Sequence, residues 1–276
     1  MSQRWLVTGA GRGLGRAITQ QLLARGDHVA ATVRQLDALD DLARQHPDRL
    51  IVRQLDMADH AAIRATVDEA VAALGGLDVV ASNAGYALVG AAEEASDEQI
   101  AAHLSVNLLG PIHLIRAALP HLRRQGHGRI VQVSSENGQM SLPALSCYQA
   151  AKWGIEGYCE SVAQEVAPLG IQMIIVEPGR IATAFDRSSV PAQTQIDDYQ
   201  RTSVGNLLRL HAMGRLPRLG DPQRMAQAII ACADSTSPPL RLLLGSDAWR
   251  NVERALHARM AVLDGQRESA AATDIA

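Results

Sequence analysis

The feature that most constrains this chain lies near its N-terminal end. A short apolar run at 5–8 breaks into TGAGRGLG at 8–15, and a helical apolar pattern follows at Ala17, Ile18 and Leu22. Strand, glycine loop and helix in that order make a phosphate cradle, because glycine lets backbone N–H groups approach an anion that sits on the positive end of the helix. The alternative is a tight glycine turn that holds nothing. The spacing Gly9, Gly13, Gly15 is not the GxGxxG of the familiar dinucleotide fingerprint.

The strand–helix rhythm continues along the chain. Apolar runs at 28–33, 50–55, 77–81, 129–134, 171–176 and 240–244 predict further strands. Asp59 can cap a helix carrying Ile63, Val67, Ala70, Val71 and Leu74 on one face, with Gly75 and Gly76 stopping it. Helices are also predicted at 100–122, where Pro111 is a kink or a boundary, at 148–166, from Pro222 over 225–232, and at 251–262. This alternation implies an α/β fold: a doubly wound parallel sheet of about seven strands, right-handed crossovers, and helices on both faces in three layers, α/β/α. No linker divides the chain, so 1–276 reads as one domain with its core at 4–245. The longer, more polar stretch 180–217 reads as a lid over the ligand edge. The C-terminal helix and tail occupy 247–276, and the tail is expected to be disordered or to pack on a neighbouring subunit.

Charge and composition narrow the function. With a net charge of −3, no basic tract and 3% aromatics, nucleic-acid binding is disfavoured. Cys147, Cys159 and Cys232 show no CxxC, and nine histidines show no HxxxH pair, so a reducing compartment and no metal site are expected. No apolar run approaches membrane-spanning length, and the strand-like run at 5–7 leaves no room for a signal peptide. The expectation is a cytoplasmic protein with no membrane partner.

The chemistry concentrates at 131–152, VQVSSENGQMSLPALSCYQAAK. Lys152 is the only lysine among the 26 Lys and Arg residues, and it stands four positions after Tyr148. On a helix, i and i+4 share a face, so phenol and ammonium share one small volume. A fixed cation favours the phenolate and pulls the phenol down from about 10 toward working pH, which is how a weak acid becomes a general acid/base. An exposed Tyr and Lys on a solvated face is the bland alternative. Ser135, at the end of a strand-like run, has a hydroxyl placed to hold a substrate oxygen, and Ser134 competes for that part. Asn107, in an apolar helix, is either a structural hydrogen-bonder or a bent-helix site whose carbonyl is freed for water. Arg34 follows the second strand where an acid would read a ribose hydroxyl. With Arg12 it favours the 2′-phosphate of NADP(H) over NAD(H), unless both are merely solvated. Asp56 suits either an adenine amino group or a turn.

These pieces together resemble the short-chain dehydrogenase/reductase superfamily, over about 4–245. They are TGAGRGLG, SNAG at 82–85, the Asn of SVNLLG, VSS at 133–135, Tyr148 with Lys152, and PG at 178–179 with Thr183, all in the family's order. Gln132 and Ser82 depart from the family's usual asparagines without removing a reacting group. The resemblance implies a Rossmann-like fold and a tetrad. Tyr148 is the acid/base, Lys152 holds the nicotinamide ribose and depresses the tyrosine, Ser135 orients the carbonyl, and Asn107 anchors a water that links Lys152 to solvent. It also implies pyrophosphate contacts at Gly9, Arg12, Gly13, Leu14 and Gly15, an extra-phosphate contact at Arg34, and adenine-side contacts at Asp56 and Met57. Ribose contacts fall at Asn83, Ala84 and Gly85, and carboxamide contacts at Pro178, Gly179, Ile181 and Thr183. Tyr86, Glu136, Gln139 and Leu142 fall near the expected substrate pocket. The implied activity is NADPH-dependent, reversible reduction of a small-molecule ketone or aldehyde, with NAD(H) as second cofactor option, in a homodimer or homotetramer. The alternative is a dinucleotide sensor of the same fold without chemistry, which an intact tetrad disfavours.

Overall fold

The computed structural model describes residues 2–182, 189–216 and 219–275; Thr183 lies outside them. The strands are β1 (Arg4–Thr8), β2 (His28–Val33), β3 (Leu50–Gln54), β4 (Val79–Ser82), β5 (Leu88–Val89), β6 (Gly128–Val133), β7 (Ile171–Pro178), β8 (Val190–Pro191) and β9 (Arg241–Leu244). Seven of them form one parallel sheet in the order β3-β2-β1-β4-β6-β7-β9. The chain leaves β1 toward β2 and β3, then returns to β4 on the other side. That reversal opens a crevice at the carboxyl ends of β1 and β4.

Two apolar layers follow from the pleat, which turns successive side chains to opposite faces. Trp5 and Val7 pack in a cluster with Ile18 and Leu22 of α1 (Gly13–Arg25) and with Ile229 of α9 (Pro222–Asp234). Leu6 between them packs on the other face. There it joins Ile63 of α3 (His60–Leu74), Leu114 of α5 (Gly110–Gln125) and Ile155 of α6 (Ser146–Val166). Asp59 caps α3 by accepting from the Ala62 N–H at 3.0 Å, as its sequence suggests. Arg4 grips Asp78 with Nε and Nη2 at 2.9 and 2.7 Å, which pins the start of β1 to the approach of β4.

Four details depart from the sequence reading. The segment 100–122 is not one helix: α4 (Asp97–Leu104) passes through a π-helical turn at Ser105–Leu109 into α5. Pro111 falls at the boundary between the π turn and α5, one of the two places its sequence allowed. In the stretch 180–217, β8 pairs with β5 in a separate two-stranded ribbon, and α7 (Asp197–Gln200) and α8 (Ser203–Ala212) follow. Two-residue strands are too short to print a period in a sequence. Helix α10 is longer than expected (Ser246–Asp264), and the exposed tail forms a helical turn and a half, α11 (Arg267–Ala271). Among the described residues, no helix is long and apolar enough to cross a membrane, and no cluster of three His, Cys, Asp or Glu could hold a metal ion.

Candidate active site

The crevice is a cavity of about 1220 Å³ at the carboxyl edge of the sheet, with Gly9, Arg34, Asp56, Asn107, Ser135 and Tyr148 on its wall. Tyr148 and Lys152 sit one turn apart on α6, 7% and 6% exposed, and the ammonium lies 5.6 Å from the phenol ring centre. Lys152 Nζ donates to the Val133 carbonyl at 3.1 Å, which ties α6 to the end of β6. Ser135 Oγ accepts from both the backbone N–H and the side-chain amide of Asn137, each at 3.2 Å. With its acceptor positions used, its own hydrogen turns to Tyr148, and the two side chains are hydrogen-bonded. Ser134 instead donates to Glu156 at 2.6 Å, inside the protein. The competition between the two serines is thus decided by which one reaches the phenol.

Electrostatics here differ from the sequence expectation. Burial pushes the Tyr148 phenol up to about 12, the Ser135 hydroxyl opposes that rise, and the Glu136 and Glu156 carboxylates add to it. Lys152 does not pull it down. Burial lowers the ammonium itself to about 8, against the nearby Glu156 carboxylate. At these buried side chains desolvation outweighs the pairing expected from the spacing alone.

Asn107 stands in the π turn. Its Oδ1 accepts from the Tyr86 N–H at 3.0 Å, and its Nδ2 donates to the His103 carbonyl at 3.1 Å, with His103 Nδ1 3.2 Å away. The structural alternative is realised, since the amide bridges two segments, and the helix is distorted at this point. His103 was not singled out from sequence. Its ring is fully buried, meets Tyr86 edge-on at 5.0 Å and lies 6.1 Å from the Tyr148 ring. Burial, helped by the Lys152 charge, lowers it to about 4, so it is neutral at pH 7. The signal was present, since a polar ring one turn before Asn107 shares its helix face.

The glycine loop tests whether a dinucleotide fits. Gly9 and Gly13 have φ of 66° and 56°, and a Cβ on Gly9 would meet the Ala84 Cα at 2.9 Å. Thr8 Oγ accepts from the N–H groups of Asn83 and Ala84 at 2.9 and 3.2 Å, locking SNAG against the loop. The first turn of α1 carries no acid, and Arg12 before it makes no side-chain cap. Uncapped N–H groups at a helix start, beside a cavity, suit a pyrophosphate.

Comparison with known proteins gives the family. Residues 3–194 match the family described as short chain dehydrogenase. The chain belongs to the short-chain dehydrogenase family. It is 36% identical to oxidoreductase BOA17 of Botryotinia fuckeliana over 269 residues, 97% of this chain and 98% of that one. It is 30% identical to a 3-ketodihydrosphingosine reductase of Bacteroides thetaiotaomicron, over 87% of each. The crystal structure of a short-chain dehydrogenase from Streptomyces avermitilis superposes with a TM-score of 0.90 at 36% identity, covering 99% and 98% of the two chains. Other structures of this fold were solved in complex with NADP or with NAD. The protein is an oxidoreductase of this family.

Within the short-chain dehydrogenase frame, Leu14, Met57, Asn83, Ala84, Gly85, Pro178, Gly179 and Ile181 all line the cavity, as do Arg12 and Arg34, both exposed. Gly15 lies behind the wall, where a Cβ would strike the Gly9 carbonyl at 2.4 Å. Asp56 accepts from the Ala58 N–H at 2.9 Å, so its turn role is realised while it faces the cavity. On the substrate side Tyr86, Glu136 and Leu142 line the wall, and Gln139 does not. Its amide is drawn to the fully buried Glu177, which needs a donor. Glu177 belongs to a network that sequence reasoning missed: Arg241 on β9 donates to Glu177, to Glu156 at 2.6 Å and to Glu160 at 2.9 Å. Burial raises the Glu177 carboxyl, and the Glu156 carboxylate adds to that. Burial works against the Arg241 charge, but hydrogen bonds to Glu156 and Glu160 outweigh it and raise the guanidinium further.

Proposed function

We propose that this short-chain dehydrogenase is an NADP(H)-dependent carbonyl reductase, reversible as an alcohol dehydrogenase. The observation that carries the reading is a buried Tyr148 hydroxyl bonded to Ser135, beside the chain's one ammonium, on the wall of the cavity that the glycine loop shapes. A phenol pushed up to about 12 is fully protonated at pH 7, which suits a proton donor and therefore the reducing direction. Ser135 orients the substrate oxygen, and Tyr148 gives it a proton. Lys152, lowered to about 8, is still mostly charged at pH 7 and would hold the nicotinamide ribose hydroxyls. Asn107 anchors the water through which the proton is replaced. A nicotinamide dinucleotide, when bound, supplies the hydride.

Gly9, Gly13, Leu14 and the start of α1 would hold the pyrophosphate. Asn83, Ala84 and Gly85 would hold the ribose, and Pro178, Gly179 and Ile181 the carboxamide. Arg12 and Arg34 support NADP(H), because both are exposed guanidiniums on the wall of the cavity. The relative named for reducing a ketone supports the same direction. The assembly that goes with this reading is a homodimer or homotetramer built through α5 and α6, in the cytoplasm.

The test is a carbonyl and alcohol panel followed at the nicotinamide absorbance with NADPH and NADH in parallel. NADPH oxidation that disappears in Tyr148→Phe is expected. Tight dinucleotide binding with no turnover on any member would return the protein to the sensor reading. Alanine at both Arg12 and Arg34 is expected to erase the preference for NADPH and spare use of NADH.

A further inference from the structure

One polar group on the substrate wall has no part in the reaction described above. Glu136 follows Ser135 directly, is 4% exposed, and lines the same cavity as Ser135 and Tyr148. Its Oε2 accepts from Asn251 of α10 at 2.8 Å. Its charge is felt at the Tyr148 hydroxyl. Arg180 and Asp247 lie near enough to act on Glu136 with opposite signs, and burial raises its carboxyl above the ordinary value.

A carboxylate buried at a binding wall costs free energy unless it meets donors, and one Asn amide supplies only one. The same cavity carries the apolar side chains of Leu142, Leu145, Val190, Leu207, Leu208 and Leu216. A buried acceptor and a set of leucines on the walls of one cavity describe an amphipathic substrate.

We propose that Glu136 selects ketones bearing a hydrogen-bond donor, a hydroxyl or an ammonium group, on the carbon next to the carbonyl, with an apolar chain beyond. Ser135, Glu136 and Tyr148 line one cavity, and the Glu136 charge acts on the Tyr148 hydroxyl. A carbonyl oxygen held between Ser135 and Tyr148 therefore brings the nearest substituents of the substrate toward Glu136. The donor group is untouched by the chemistry: the carbonyl carbon gains a hydride from the reduced nicotinamide, the oxygen gains the Tyr148 proton, and an amino alcohol or diol leaves. Glu136 is thus a specificity-determining residue, and the inference rests on the reductase reading.

The experiment compares three ketones of equal chain length, with an α-ammonium, an α-hydroxyl or no substituent, on the wild-type protein with NADPH. The two donor-bearing ketones are expected to show kcat/KM about 10–100-fold above the plain one, the worth of a hydrogen bond to a charged group. Glu136→Gln keeps an acceptor oxygen and loses the charge, so it should cut the ammonium preference more than the hydroxyl preference. Glu136→Leu should erase both. Calorimetric binding of the matched amino alcohol, diol and plain alcohol makes the same comparison without turnover. Equal kcat/KM across the wild-type panel, equal affinities in calorimetry, or ratios unchanged in Glu136→Gln would overturn the proposal. If no ketone is reduced, the reductase reading fails by itself, and the calorimetric ratio still decides Glu136.

Discussion

Lys152 and Arg241 are cations that face the same carboxylate, Glu156, from different elements, and the chain treats them in opposite ways. Arg241 is given two buried acids, Glu156 and Glu177, and a third at the surface, Glu160. Lys152 has a backbone carbonyl as its hydrogen-bond partner and feels Glu156 only through space. The first is over-supplied with negative charge and its proton is held harder than usual. The second is under-supplied, and burial loosens its proton to about 8. Over-compensation fastens β9, β7 and α6 together. Under-compensation leaves an ammonium with a loosened proton on the wall of the cavity.

Breaking the loose member should have the largest effect, and on activity. Lys152→Met and Tyr148→Phe are each expected to lower kcat by about 10²–10⁴-fold with the fold intact, checked by steady-state kinetics beside circular dichroism. A kcat within a factor of three of wild type in either variant would remove that residue from the reaction. Breaking the tight member should act on stability. Arg241→Met strands Glu177 without a counter-ion and leaves Glu156 only the through-space charge of Lys152, and about 3–5 kcal/mol should be missing in urea unfolding. If Arg241→Met costs under about 1 kcal/mol, the network is ornamental.

How far each cation could be read in the sequence follows from the same contrast. Lys152 announced itself because it is the only lysine and its partner is four residues away on one helix. The glycine loop and SNAG were equally legible, since local backbone demands fix those residue types. Arg241 is one arginine among many, and its partners stand 64 to 85 positions earlier, so only the pairing of β9 with β7 and the packing of α6 beside them bring them together. Gln139 reads as a pocket residue until the buried acid that claims its amide is placed. The lowered Lys152 and the raised Tyr148 were missed for a related reason: spacing tells which groups meet, and burial depends on everything packed around them.

His103 sharpens the comparison, being a third basic group in the same corner and one that the fold keeps uncharged. Its folded value, about 4, lies below the unfolded 6.5, so the unfolded chain binds the proton more readily. The stability this group contributes is complete above pH 6.5 and is lost as pH falls toward 4. The loss should be about 3 kcal/mol. Comparing urea unfolding of wild type and His103→Asn across that range should show the slope in wild type alone. Parallel curves would mean that the ring is solvated or already charged.

The smallest effect separates the two cations most sharply, because it has opposite signs for them. Lys152 has a folded value of about 8 against 10.5 unfolded, again a depressed base. Its penalty is full below pH 8 and fades as pH rises through 10.5, so at pH 7 the fold is strained by holding this charge. Removing the ammonium in Lys152→Met relieves the strain and forfeits the bond to the Val133 carbonyl. The balance should leave the variant about 2 kcal/mol more stable than wild type at pH 7. The gain should shrink toward pH 10.5 in paired urea titrations. Arg241→Met moves the other way at every pH where Glu156 and Glu177 are ionised. A Lys152→Met protein less stable than wild type at pH 7 would mean that Glu156 compensates this ammonium after all, and that the two sites differ in chemistry without differing in electrostatic design.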